Sequence, residues 1–443
     1  MRKYPSEFKY TVRESLKTAI ILLLLISLLA LTFLMWFQNV AISWENTGFA
    51  ATMARALGLI TPTPEIITLS PAIQYTEAIF PYRIVWTEGG AHWGAQYDPV
   101  LTDSAYRLMK ASLGTALGSA KSAVLKSEDA WYRALASDNF YLAYPVAISL
   151  HTLSLWFSVE EQTQLPDIMV RHLALVSNIS GIYIWFIDEE NDLFYQCLTE
   201  LPALNDAGTI LNRLLPCRFG FEEKAFERAP LSLLFDKTPT PQSAVCFPVD
   251  QTRLVTDAFL SALNINPDTN ALFTDQDGTT YFSGTRSCHF TEEYIHYTSP
   301  SNTTDDDISI NLTETKNSDA IEKSRSLIAT LSPALGEARF RLRNAESNTL
   351  TGVVTVTFDY ELAGLTVHLS DRTPPAVLVF HDGRLVEANV RVLSFKLIDE
   401  NPPQVPEQMA YGIFARLQLS GDFDLRMNYL EQNGQLLAKW EIN

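Results

Sequence analysis

ALFTDQDGTTYFSGTRSCHFTEEYIHYTSP, residues 271–300, alternates short aromatic and β-branched runs with turn-forming residues. Residues 271–273, 279–284 and 294–297 are dense in aromatic and β-branched side chains. Such side chains favour extended backbone because they pack well on a pleated surface. Between the first two runs stands Asp277-Gly278, a pair suited to the positive-φ backbone of a hairpin turn. The stretch therefore predicts short antiparallel strands.

The same two-residue period recurs on both sides. Upstream, 140–147 reads as a strand, and 167–177, 181–188 and 193–198 read as an antiparallel meander with Glu189-Glu190-Asn191-Asp192 at a turn. The runs at 231–235 and 245–247 are short strands separated by KTPTPQS. Downstream, strands are expected at 338–344, 352–362, 365–369 and 376–380, with Asp382-Gly383 turning into 384–395, and at 429–430 and 436–442. Helical spacing appears at 102–118, where Ala105, Leu108, Met109, Leu113, Ala116 and Leu117 share a face and Thr102 stands at the start. It appears again at 127–136, opened by Ser127-Glu128-Asp129, and at 206–215, 252–264, 319–333 and 406–419. The fold class predicted is α+β, with helices packed on antiparallel meander sheets. Helices followed by short strands occur three times, but the units are too dissimilar to form a sequence repeat.

Far from this pattern, residues 18–37 read TAIILLLLISLLALTFLMWF, twenty residues without a charge. At about 1.5 Å per residue they make roughly 30 Å of helix, the thickness of a bilayer core. Residues 1–17 carry a net +3, and the remainder of a chain whose total is −18 carries −21. The positive-inside rule puts the N-terminus in the cytoplasm and the bulk outside. A cleaved signal peptide fits poorly, because the run is long, ends in bulky Met35-Trp36-Phe37, and is followed by the weak site Asn39-Val40-Ala41. The expected organisation is a cytoplasmic basic leader at 1–17, a single transmembrane anchor at 18–37, an N-terminal extracytoplasmic α+β domain at 45–225, a middle α+β domain at 226–300, an acidic linker at 301–318 and a C-terminal α+β domain at 319–443. That is two or three outer domains on one membrane helix. So acidic an outer part is unsuited to nucleic acid or an anionic membrane surface.

The sequence holds no dinucleotide fingerprint, phosphate loop, G-x-S-x-G elbow or H-E-x-x-H helix. Cys288-His289 with His296 is the one knot of soft ligands, and a zinc site wants about four at tight spacing. The pairs Glu160/Glu161, Asp188/Glu189 and Glu292/Glu293 fall in expected turns or strand ends. Trp93, Trp131 and Trp156 would suit a sugar groove but fit core packing better. Cys197, Cys217, Cys246 and Cys288 allow three disulfide pairings, and buried free thiols fit them at least as well. No catalytic residue, cofactor or metal ligand is expected. Within the anchor, Ser27, Ala30 and Thr32 are the small or polar positions where another helix could approach.

Several segments resemble the YycH family of membrane-anchored regulators of a two-component sensor kinase. In that family a segment runs approximately LF, then Y-T-D-G-T-R, then an aromatic-x-N/S-P. Here Leu272-Phe273, Tyr281-Phe282-Ser283-Gly284-Thr285-Arg286 and Tyr297-Thr298-Ser299-Pro300 match it in order, with Ser283 in place of the usual Asp. FYLAYPVAISLHTL and HLALVSNISGIYIWFIDEENDLFYQCLT resemble the family's early strand and meander. VTVTFDYELAGLTVHL with VLVFHDGRLVEANVRV and LAKWEIN resembles a C-terminal module shared with the companion YycI family. The resemblance implies a non-enzymatic regulator of a sensor histidine kinase, paired with a YycI-like anchored companion or with a second copy. The competing reading is a cell-envelope carbohydrate-binding protein or hydrolase without a recognisable motif.

Overall fold

Strand β4, Asn139–Ser149, shows how local chemistry shapes this fold. Its antiparallel register with β5, Met169–Asn178, breaks between Ala143 and Ile148. Pro145 lies in that break, where its missing N–H costs no ladder bond. A computed structural model gives the architecture. It describes residues 77–442, apart from 160–164, 167, 205–208, 211, 213, 237–239, 250–252, 269–270, 301–307, 311–316, 349 and 418–422. The anchor at 18–37, with Ser27, Ala30 and Thr32, lies outside the described residues. Among those described, no helix is long and apolar enough to cross a membrane.

Residues 75–443 form one compact unit built on two sheets. Among the described residues the first has nine strands, all antiparallel. Its centre is β1 (Arg83–Glu88), β4, β5, β6 (Gly181–Asp188) and β7 (Leu193–Leu198), in the sheet order β7-β6-β5-β4-β1. Both faces are buried. Ile182, Ile184 and Phe186 of β6 enter one core, and Trp185 and Ile187 enter another. This explains why GIYIWFID is apolar throughout instead of alternating with polar residues. One face is covered by helix α1, Pro99–Gly118, through Ala105, Met109, Leu113 and Ala116. The other face is covered by α2, Glu128–Leu135, through Trp131 and Leu135.

Among the described residues the second sheet has thirteen strands and a single parallel pair, β17 (Leu365–His368) with β21 (Leu425–Gln432). Residues from both sides of the acidic stretch share it. β10 (Ala244–Pro248) pairs with β20 (Leu393–Leu397) and β22 (Gln435–Ile442). β11 to β14, spanning 271–298, continue onto β19 (Arg384–Arg391). Part of the stretch read as a linker also joins this body. Ser309 bridges to Arg384, and Ile308 and Ile310 pack against the core.

Several local expectations shift. α1 starts at Pro99, not 102, because Asp98 is the cap; its Oδ1 accepts from the N–H groups of Val100 at 3.0 Å and Leu101 at 3.1 Å. Thr102 instead donates its hydroxyl to the Asp98 carbonyl. Ser127 caps α2 as its position implies. In the opening stretch, a strand at Arg286–Phe290 was not foreseen, because its polar Arg-Ser-Cys-His run hides a central position in the meander. Likewise, Leu215–Phe219 is a strand beside β2 (Ala91–Gln96), where a helix was expected to end.

Candidate functional site

Charged residues inside otherwise apolar strands build the site. Arg83 opens β1, Arg171 lies in β5 and Arg426 in β21. All three guanidiniums converge on Asp424, immediately before β21. Its Oδ2 accepts from Arg426 Nε at 2.6 Å, Arg171 Nη2 at 2.9 Å and the Tyr82 hydroxyl at 2.9 Å. Its Oδ1 accepts from Arg83 Nη2 at 3.4 Å. Arg83 also donates to Gln96 Oε1 at 2.8 Å and to the Leu231 carbonyl. Arg426 donates to the carbonyl of Pro145, within the break in β4. Arg83 and Arg426 both lie over the Tyr82 ring, 4.9 and 4.7 Å from its centroid.

Burial alone would raise the Asp424 carboxyl's pKa, but Arg426, Arg83 and Arg171 together hold it far below the ordinary carboxylate range. The cluster thus joins the first sheet to the second through a carboxylate that its arginines keep ionised at neutral pH.

A cavity of about 560 Å³ opens beside Asp424. Arg171 and His172 both line it, although neighbours on a regular strand face opposite ways. The reason is a bulge: the β5–β6 register shifts between Val170 and Leu173. His172 Nδ1 pairs with the Tyr141 hydroxyl at 2.8 Å, and the two rings stack. Burial, reinforced by Arg171, pushes the imidazole well below its ordinary pKa, so it is neutral at pH 7. Its Nε2 stands 3.8 Å from Glu189 Oε1, too far for a hydrogen bond. Burial raises the Glu189 carboxyl, with Arg171 opposing. Tyr132, Phe194 and Phe423 supply aromatic wall, and Ser232 lines the same cavity.

The residues singled out from the sequence lie elsewhere. Tyr281, Ser283, Gly284, Thr285 and Arg286 form the hairpin between β12 (Thr279–Ser283) and β13 (Arg286–Phe290). Gly284 has φ +61° at the first position of a two-residue turn. Arg286 is buried and donates to the carbonyls of Leu263 at 3.1 Å and Asn264 at 3.5 Å, and to Ser283 Oγ at 3.3 Å. Those carbonyls follow α4, Arg253–Ala262, after the seven-residue α3, Leu150–Trp156. The motif bolts a hairpin to a helix end, where a cation also meets the helix dipole.

His289 and His296 face each other across two strands and are paired to Thr280 Oγ1 at 2.8 Å and Asn389 Oδ1 at 2.9 Å. Among the described residues no group of three or more His, Cys, Asp or Glu side chains is placed to hold a metal ion. Trp131 and Trp156 are core residues, and Trp93 packs partly against the core. Glu160 and Glu161 lie outside the described residues. The four cysteines are unpaired, and burial pushes the thiols of Cys197 and Cys217 up to about 12. Asp424 and its arginines were not singled out. The available signal was a charge inside an apolar strand, as in PYRIVW, IMVRHLALV and LRMNYL.

No protein-family model and no curated protein matches this chain. Among solved structures, the crystal structure of YycH from Bacillus subtilis is similar, with a TM-score of 0.50 over 82% of this chain and 94% of that one, at 11% identity. The fold is YycH-like. At that identity the likeness is one of architecture.

Proposed function

We propose that the chain is a non-enzymatic, single-pass regulator of a two-component sensor histidine kinase, with its N-terminus in the cytoplasm and its bulk outside. The observation that carries this reading is the YycH-like fold over 82% of the chain, placed behind a charge-free twenty-residue segment with a basic leader. The family resemblance of the ordered motifs supports the same reading. The partner is the kinase, together with a YycI-like anchored companion or a second copy.

The physical means is a population shift. A kinase with two conformations moves toward whichever one a neighbouring helix packs against better, and a typical coupling is about 1–3 kcal/mol. Ser27, Ala30 and Thr32 are the proposed contact positions. Crosslinking in the native membrane followed by recovery of the tagged chain is expected to bring down a histidine kinase. Repeated recovery of wall polymer without a kinase would sink the proposal and favour the envelope-binding alternative.

A further inference from the structure

The cavity beside Asp424 is lined by groups of both charges. Arg171 lines it, the buried Arg83 and Arg426 lie close by, and Asp424 is the carboxylate to which all three are bonded. Three cations on one carboxylate leave positive charge there. Arg171 Nε is buried without a hydrogen-bond partner, and so is the Oγ of Ser232, a lining residue only 2% exposed. The same lining holds Glu189, Glu128 and Asp192, the last two exposed. None of the three has a Lys or Arg partner within 4.0 Å among the described residues, and Glu189 Oε1 accepts no hydrogen bond. Ile187, Phe194 and Phe423 add apolar wall.

Unmatched donors, carboxylates without a cationic partner and an apolar flank in one cavity describe the complement of one ligand chemistry. We infer that this cavity binds a zwitterion with an apolar side chain, an α-amino acid or short peptide, with its carboxylate on Arg171 and Ser232 and its ammonium on Glu189, Asp192 and Glu128. A buried polar group left without a partner costs about 1–3 kcal/mol, so each such atom favours an occupant that satisfies it. A lone anion would also face the three carboxylates, and a lone cation would face the arginines. A volume of about 560 Å³ is within the range of small-molecule sites, roughly 300–1,000 Å³. The bulge in β5 is what makes the site, because it brings Arg171 and His172 to the same wall. This inference does not depend on the anchor or on a kinase.

The test is calorimetric titration of the full-length chain in detergent with leucine and leucyl-leucine, beside N-acetyl-leucine, leucinamide and the blocked dipeptides. The free zwitterions are expected to bind saturably, with at least tenfold loss on acetylation and at least tenfold on amidation. The tighter of leucine and leucyl-leucine identifies a free amino acid or a peptide as the source. Asp192→Asn with Glu128→Gln, both at exposed positions, is expected to abolish the preference for the free amine while leaving the melting temperature unchanged. Ser232→Ala is expected to weaken only ligands that carry the carboxylate. No saturation by either zwitterion up to 10-millimolar order, or equal binding of blocked and free forms, would overturn the inference.

Discussion

Arg83 Nη2 donates to Asp424 Oδ1 at 3.4 Å, although 341 residues separate the two. Arg83 begins a central strand of the first sheet, and Asp424 stands at the start of a strand in the second. Asp424→Asn would leave three guanidiniums around an amide. Breaking such a buried network typically costs about 3–5 kcal/mol. The variant is expected to lose that much in denaturant unfolding of the full chain. A loss below about 1 kcal/mol would mean the cluster behaves like a surface ion pair.

The pH dependence of stability has two opposing limbs. The Asp424 carboxyl lies below its ordinary 3.8 in the folded state, so its stabilisation is present above about pH 4 and is lost as pH falls further. Glu407 is the opposite case. It opens α6, Glu407–Ala415, the helix that follows α5 (Ser318–Ala329), and burial raises its carboxyl from 4.5 to about 8. Its folded form therefore holds a proton that the unfolded chain releases, and stability declines as pH rises from about 4.5 toward 8. Glu407→Gln is expected to flatten that decline. Unfolding midpoints measured from pH 5 to 9 that fall equally in both proteins would contradict the assignment.

Ser283→Asp restores the residue usual in the resembling family. In this structure it would place a carboxylate beside the Arg286 guanidinium, which now reaches Ser283 Oγ at 3.3 Å. The gain expected is up to about 1 kcal/mol, because Ser283 is only half-buried at the turn although Arg286 is buried. Arg286→Ala should cost about 1–3 kcal/mol, since the Leu263 and Asn264 carbonyls lose their donor. Thermal melts of the two variants should move in opposite directions.

Exchanging residues 18–37 for an unrelated apolar helix tests where regulation resides. Under the proposed function, the part after residue 37 should keep its far-ultraviolet circular dichroism and melting temperature, while control of the kinase is lost. An exchange that leaves control intact would reduce the segment to a tether.

Element types were largely legible in the sequence. The meander at Met169–Asn178, Gly181–Asp188 and Leu193–Leu198 follows from its run of β-branched and aromatic residues, and α2 from Ser127 and its two following acids. Arg286–Phe290 escaped because its polar composition masks a strand that is specified by neighbours on both sides. The candidate cavity was almost wholly hidden. Asp188/Glu189 was noticed only as a turn pair, and Asp424 not at all.

Local sequence specifies the period of each segment, the apolar length of residues 18–37, the charge asymmetry across them and the turn at Asp277-Gly278. These depend on neighbours a few residues apart, where backbone sterics and side-chain spacing decide. Only the tertiary structure decided that β10 completes a sheet with β20 and β22. It also decided that a bulge sets Arg171 and His172 on one wall, and that three arginines share Asp424. Pairings across 150 to 340 residues carry no local signal. They are selected by which arrangement buries the apolar faces while leaving each buried charge with a partner.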